Sequence, residues 1–284
     1  MSSRTKINLI LLGLTLILAL TVTFESGQQP APTVPLTELE PSGITQITIQ
    51  RLAKADIRLQ RQDAAWQLLV PIEIAANRNP VNTLLQLATK HSLSRYAAKE
   101  LDLATYGLEP PLVTVVLNSM EINVGAPNPV TRRRYLKIND FVHLVNDDLY
   151  DIYSTEPAAY VATRLLSAER KIKHLSLPGL ELSKTPSNHW EVSSGDGVIL
   201  PDEPGSVIER WQNTSAQWVQ AYDGAEPLSK VVVTLANGQT LHFIVTAIQP
   251  QLVMARPELQ LQYHLSAEKS VELLPGWSLD TSPQ

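Results

Sequence analysis

The stretch ITQITIQR, residues 44–51, alternates apolar with polar side chains and reads as a strand with one buried face. A second alternating run, Ile57 to Arg61, follows. A turn at Gln62-Asp63 then leads into Trp66-Gln67-Leu68, so the two runs form a hairpin. Asn79 reads as a helix cap with Pro80 at the first helical position. Val81, Leu84, Leu85 and Ala88 then share one apolar face. Further strands are expected at Val113–Leu117, Glu121–Val124, Arg134–Ile138 and Phe141–Val145. A helix is expected over Pro157–Ala168, with Tyr160, Val161, Leu165 and Ala168 inward.

The second half of the chain retraces these steps. Ile172–Leu177 (IKHLSL) matches Ile44–Ile49 (ITQITI), and a second hairpin, turning at Pro186-Ser187-Asn188, ends in Trp190 as the first ends in Trp66. A helix follows, on which Val207, Ile208, Trp211, Trp218, Val219 and Tyr222 share a face. Strands then come at Val231–Leu235 and Leu241–Val245. FVHLVNDDLYDI (residues 141–152) aligns with QYHLSAEKSVEL (residues 262–273), which sets His143 opposite His264. The pattern is that of a duplicated unit, with chance alignment of alternating strands as the competing account. Short strands with tight connections argue antiparallel pairing. The expected class is α+β: a single N-terminal transmembrane helix, then a duplicated unit of antiparallel strands with one packing helix per repeat.

Composition narrows function. The 284 residues are 44% hydrophobic and carry a formal net charge of −5, which speaks against electrostatic nucleic-acid binding. There is no cysteine, so disulfides, thiolate metal sites and a cysteine nucleophile are excluded. Residues 7–24, INLILLGLTLILALTVTF, hold no charge, and a helix of that length spans about 27 Å, close to the roughly 30 Å of a hydrocarbon core. Arg4 and Lys6 precede the span and no basic residue follows until Arg51, so the N-terminus is placed in the cytoplasm and the bulk outside. A cleaved signal peptide is the rival reading, with poor cleavage sites near Ala19 and Thr21. Residues 25–42, with Pro30, Pro32, Pro35 and Pro41, read as a stiff solvated spacer reaching up to about 55 Å. The expected divisions are a cytoplasmic tail (1–6), the membrane helix (7–24), the spacer (25–42), two α+β repeats (43–168 and 169–277) and a tail (278–284).

The strand at residues 44–51, the hairpin ending in Trp66, Pro71 with Ala75-Ala76-Asn77, the run LDLATYGLEPP (residues 101–111), Gly125-Ala126-Pro127 and Arg134-Tyr135-Leu136 together resemble the domain-of-unknown-function 4340 family. The resemblance covers Ile44 to Leu166 well and the second half more loosely. It implies a bacterial inner-membrane protein with its bulk in the periplasm. It also implies partners among the auxiliary subunits of gliding-type ABC exporters, beside which relatives are often encoded. It carries no catalytic residue, metal or other cofactor to this chain. Read physically, Gly107 in the run takes the left-handed stop conformation, Leu108 folds back, and Glu109-Pro110-Pro111 forces extended chain.

No hydrolase elbow, phosphate loop or dinucleotide fingerprint occurs. The six histidines (His91, His143, His174, His189, His242 and His264) show no helical ligand pairing; His143 and His264 meeting at a metal is weighed against solvent-facing strand positions. Arg132, Arg133 and Arg134 form a positive spot suited to an anionic partner, with Arg132 and Arg134 sharing a strand face. The competing account is a solvated strand start. Trp211 and Trp218 are read as core rather than as a sugar platform. The expected function is a non-enzymatic, membrane-anchored periplasmic accessory or scaffold. The alternatives are a cell-wall or polysaccharide binding module using the cleft between the halves, and a hydrolase.

Overall fold

A computed structural model describes residues 34–194 and 203–277, together with the isolated residues 13 and 15. The expected membrane helix at 7–24 and both tails lie outside the described residues, apart from residues 13 and 15. Among the described residues no helix is long and apolar enough to cross a membrane.

Strand β1 (Val34–Pro35) precedes β2 (Gln46–Arg51), β3 (Ile57–Gln62), β4 (Ala65–Val70) and β5 (Ile74–Ala75). Helix α1 (Arg78–Thr89) leads through β6 (His91–Ser92) and β7 (Ser94–Ala97) to β8 (Val113–Leu117), β9 (Met120–Pro127), β10 (Arg134–Ile138), β11 (Phe141–Val145) and the short helix α2 (Tyr150–Ser154). The second half runs β12 (Ile172–Leu177), β13 (Leu180–Lys184), β14 (Trp190–Ser194), α3 (Pro204–Asn213), β15 (Trp218–Ala221), β16 (Ser229–Leu235), β17 (Thr240–Ala247), β18 (Gln251–Arg256), β19 (Leu261–Ser266) and α4 (Glu268–Leu273). These make a nine-stranded sheet, β5-β4-β3-β2-β8-β9-β10-β11-β7, and an eight-stranded sheet, β14-β13-β12-β16-β17-β18-β19-β15. Apart from β5 the two orders are the same, and every ladder is antiparallel. The class is α+β and sheet-rich.

The period-two pattern of β2 does what it should. Ile47 and Ile49 are fully buried while Gln46 and Gln50 face out. Trp66 and Trp190 occupy the same register, each opposite a basic residue of the preceding strand, Arg61 and Lys184, whose cation lies over the ring. Helix α1 buries Val81, Leu84, Leu85 and Ala88 as expected. Its cap is Asn77, whose side chain accepts from the Asn79 amide, rather than Asn79 itself.

Further expectations are corrected. Residues 157–168 are not a helix. Only a 3-10 turn, Pro157–Tyr160, forms, and Ala168 is exposed. The segment instead pairs with both halves: the Ala162 amide donates to Ala75 O, the Asn77 amide to Tyr160 O, the Leu165 amide to Thr214 O and the Ala216 amide to Thr163 O. Tertiary pairing outcompetes an apolar spacing that also fits a helix. The same pairing ends α3 at Asn213 and sends the chain on as β15, so Trp218 and Val219 are strand residues. The spacer does not run to residue 42: β1 pairs with β6, Leu36 is buried, and the Thr37 hydroxyl donates to Ala88 O. Finally, among the described residues each half has two α-helices, because α2 and α4 follow the matching strands β11 and β19.

The LATYGL run is a structural clasp. Gly107 has φ +65°, the Leu108 amide donates to Leu103 O, and Leu108 is buried. Leu108 to Pro111 close a tight turn rather than extended chain. The clasp seats on β9 through the Ala126 amide, which donates to Tyr106 O. A Cβ on Gly125 would collide with the Tyr106 carbonyl oxygen and sit 2.9 Å from Leu108 Cγ. Gly125→Ala is expected to destabilise the protein by about 1–3 kcal/mol, read from the shift of its urea unfolding curve.

Candidate functional site

Both sheets contribute to one contiguous apolar core, and the surface where they meet is not flat. A groove of about 520 Å³ lies there. One wall comes from the end of β4 and the chain after it (Leu68, Pro71, Ile72). Its floor is the junction segment (Ala158, Val161), and the other wall is Leu259, in the turn before β19, and Leu261, which opens that strand. The lining is aliphatic. Two carboxylates stand at the rim, each already engaged. Glu156 accepts from Lys54 Nζ at 2.6 Å and lies 3.7 Å from Arg51. Glu258 takes Arg256 at 2.8 Å. The Lys54 hydrogen bond holds the Glu156 carboxyl below its ordinary pKa, opposite to the shift a general acid needs.

The arginine triplet separates into three environments. Arg132 sits in an exposed loop with φ +56°, Arg133 is half-buried, and β10 begins only at Arg134. The expectation that Arg132 and Arg134 share a strand face therefore fails, and Arg134 is not open to a partner, being 4% exposed. Its guanidinium forms a two-pronged pair with Asp147 at 2.6 and 2.7 Å, donates to Gly125 O at 2.8 Å, and covers the Tyr150 ring at 3.7 Å. It ties β9, β10 and the approach to α2 together. The sequence signal that misled is adjacency, because three arginines in a row read as one patch.

His143 and His264 do not meet. Pairing of β7 with β11 sets Ser94 opposite Leu144, and pairing of β15 with β19 sets Trp218 opposite His264. His264 therefore corresponds to Leu144, one residue on from His143, and one residue in a strand changes the face. His264 lies on the outer face, half-buried, stacked on the ring of Trp218 and bonded to Gln251 and Gln262. His143 lies on the core face, 5% exposed, rather than facing solvent. Its Nδ1 is buried, with no hydrogen-bond partner among the described residues. It borders a second cavity, of about 460 Å³, between β7, β11 and the segment 34–38. The sequence showed this histidine but not its face. Among the described residues no three His, Asp or Glu side chains converge as metal ligands. Trp211 is fully buried and donates to Leu273 O, while Trp218 is exposed on β15.

The fold and its sites define a class: paired antiparallel sheets with short packing helices and an aliphatic groove at the junction. The family model described as "Domain of unknown function (DUF4340)" matches residues 66–250, and the chain belongs to that family. No curated protein and no solved structure shows a significant match.

Two outcomes follow from the charges. Asp147→Asn leaves Arg134 buried against a neutral amide, and is expected to cost about 3 kcal/mol by urea unfolding. Burial, and then the Arg95 cation, lower the His143 pKa from 6.5. The unfolded chain therefore takes up a proton that the folded one refuses, and stability falls as pH drops through 6.5. His143→Gln removes that component, so the drop in Tm between about pH 7.5 and about pH 5.5 should be smaller in the variant.

Proposed function

We propose that this protein is a non-enzymatic accessory or scaffold of the bacterial envelope, anchored in the inner membrane by residues 7–24 with its sheets in the periplasm, and that it serves an ABC-type export system. The groove between the sheets is the docking surface in this reading, and its aliphatic lining is the observation that carries it. Carbon surface in a concavity favours burial of a partner's apolar side chains, at about 25 cal/mol for each Å² removed from water. The family's genomic company motivates the choice of transporter. The charge-free run at 7–24 with Arg4 and Lys6 before it supports the anchor and its orientation.

Hydrolysis has less support, since the rim carboxylates are ion-paired within the fold and Glu156 is held in its charged form. A polysaccharide platform is favoured by one feature, the exposed Trp218 ring on the outer face, and not by the groove, whose lining holds no aromatic ring.

Protease added to intact spheroplasts is expected to digest the chain beyond residue 24. Full protection of a freely soluble protein overturns the anchor. Affinity capture of the full-length protein from detergent-solubilised membranes should recover transporter subunits. Leu259→Arg in the groove should lower that recovery at least tenfold. Capture by the wild type without any transporter subunit overturns the partner.

A further inference from the structure

The two sheets share strand order, so each is an internal control for the other. On the core face of the first, His143 on β11 pairs across the ladder with Arg95 on β7 and, on its other side, with Leu136 on β10. On the core face of the second, Tyr263 on β19 pairs with Val219 on β15 and with Met254 on β18. These are the same register positions. The second sheet fills them as a core should, with Val219 and Tyr263 buried. The first has a buried imidazole and, on the edge strand, an exposed arginine at these positions, whereas the second has carbon at both. A buried imidazole nitrogen without a partner costs stability, about 1–3 kcal/mol, so the substitution has no packing rationale.

The polar pair opens onto the cavity of about 460 Å³, within the range of small-molecule sites. The Arg95 guanidinium lies over the ring of Phe141, its Cζ 3.3 Å from the ring centroid. Among the described residues no oxygen accepts a hydrogen bond from its guanidinium and no carboxylate lies within ion-pair distance. The ring contact holds the guanidinium in place while its N–H donors stay unclaimed, and arginine can take a carboxylate with two bonds. Beside it are Phe141, Met120 and Ile138, a carbon wall. Glu38, exposed and without a cation partner among the described residues, stands on the opposite segment.

We propose that this cavity is a ligand site for a small monocarboxylate with an apolar chain, its carboxylate on Arg95 at the end of the cavity that His143 borders and its chain on Phe141, Met120 and Ile138. The site is separate from the inter-sheet groove and does not depend on the transporter reading. Arg95 supplies charge and direction. His143, neutral because burial and Arg95 disfavour its cation, borders the cavity beside Arg95 and adds no competing charge. Glu38 opposes any anion and sets an upper limit on affinity.

The test is titration calorimetry of octanoate into the purified full-length protein, with octan-1-ol as the uncharged match and inorganic phosphate as the chain-free anion. Saturable octanoate binding is expected, at least tenfold tighter than either control. Arg95→Gln should weaken octanoate at least tenfold and abolish its advantage over octan-1-ol, whereas Glu38→Gln should tighten it severalfold. The double variant Arg95→Val with His143→Tyr, which installs the second sheet's pair, should unfold at or above the wild-type temperature and bind no octanoate. Absence of saturable wild-type binding, octanoate affinity unchanged by Arg95→Gln, or phosphate binding as tightly as octanoate each overturns the proposal.

Discussion

The backbone of residues 160–165 is the constraint on which the architecture depends. Its amides and carbonyls are not satisfied within a helix; they are shared between Ala75 and Asn77 on one side and Thr214 and Ala216 on the other. Buried backbone polar groups must find partners, so this extended segment holds the two sheets in a definite relation. Around it Tyr160, Val161, Leu165 and Leu166 join a core continuous across both halves. The aliphatic groove is a by-product of the same seam, since Ala158 and Val161 form its floor.

Strand register decides what each side chain can do. Two histidines that look equivalent by alignment differ by one position in the ladder, and that position turns one into the core and the other onto an outer surface. The comparison that matters is between His143 with Arg95 and Tyr263 with Val219, because these pairs hold the same place in the same topology. One half carries carbon at these positions, and the other carries a buried imidazole beside an exposed arginine.

Charge in this protein is divided between holding the fold and facing outward. Arg134 and Arg51 direct their guanidinium groups to Asp147 and Gly125 O, and to Thr155 O and Ala55 O, and are almost fully enclosed. Arg95 is exposed and lies over the Phe141 ring, with its donors unclaimed among the described residues. The difference was not legible in the sequence, where Arg132 to Arg134 stood out as a run and Arg95 stood alone. Likewise Trp211 and Trp218 fit one helical face by spacing, yet one anchors the core and the other lies on a strand.

The strands at residues 46–51, 113–117, 134–138 and 141–145, the apolar face of α1 and the left-handed Gly107 were determined by the sequence, because each depends on neighbours within a few positions. The resemblance of the second half to the first was also determined there, since it is a matter of pattern. Tertiary structure alone decided that residues 157–168 bridge rather than coil, that β15 follows α3, and which face His143 takes. Each of these turns on a hydrogen bond or a ladder register between residues far apart in the chain, and local periodicity carries no information about such partners.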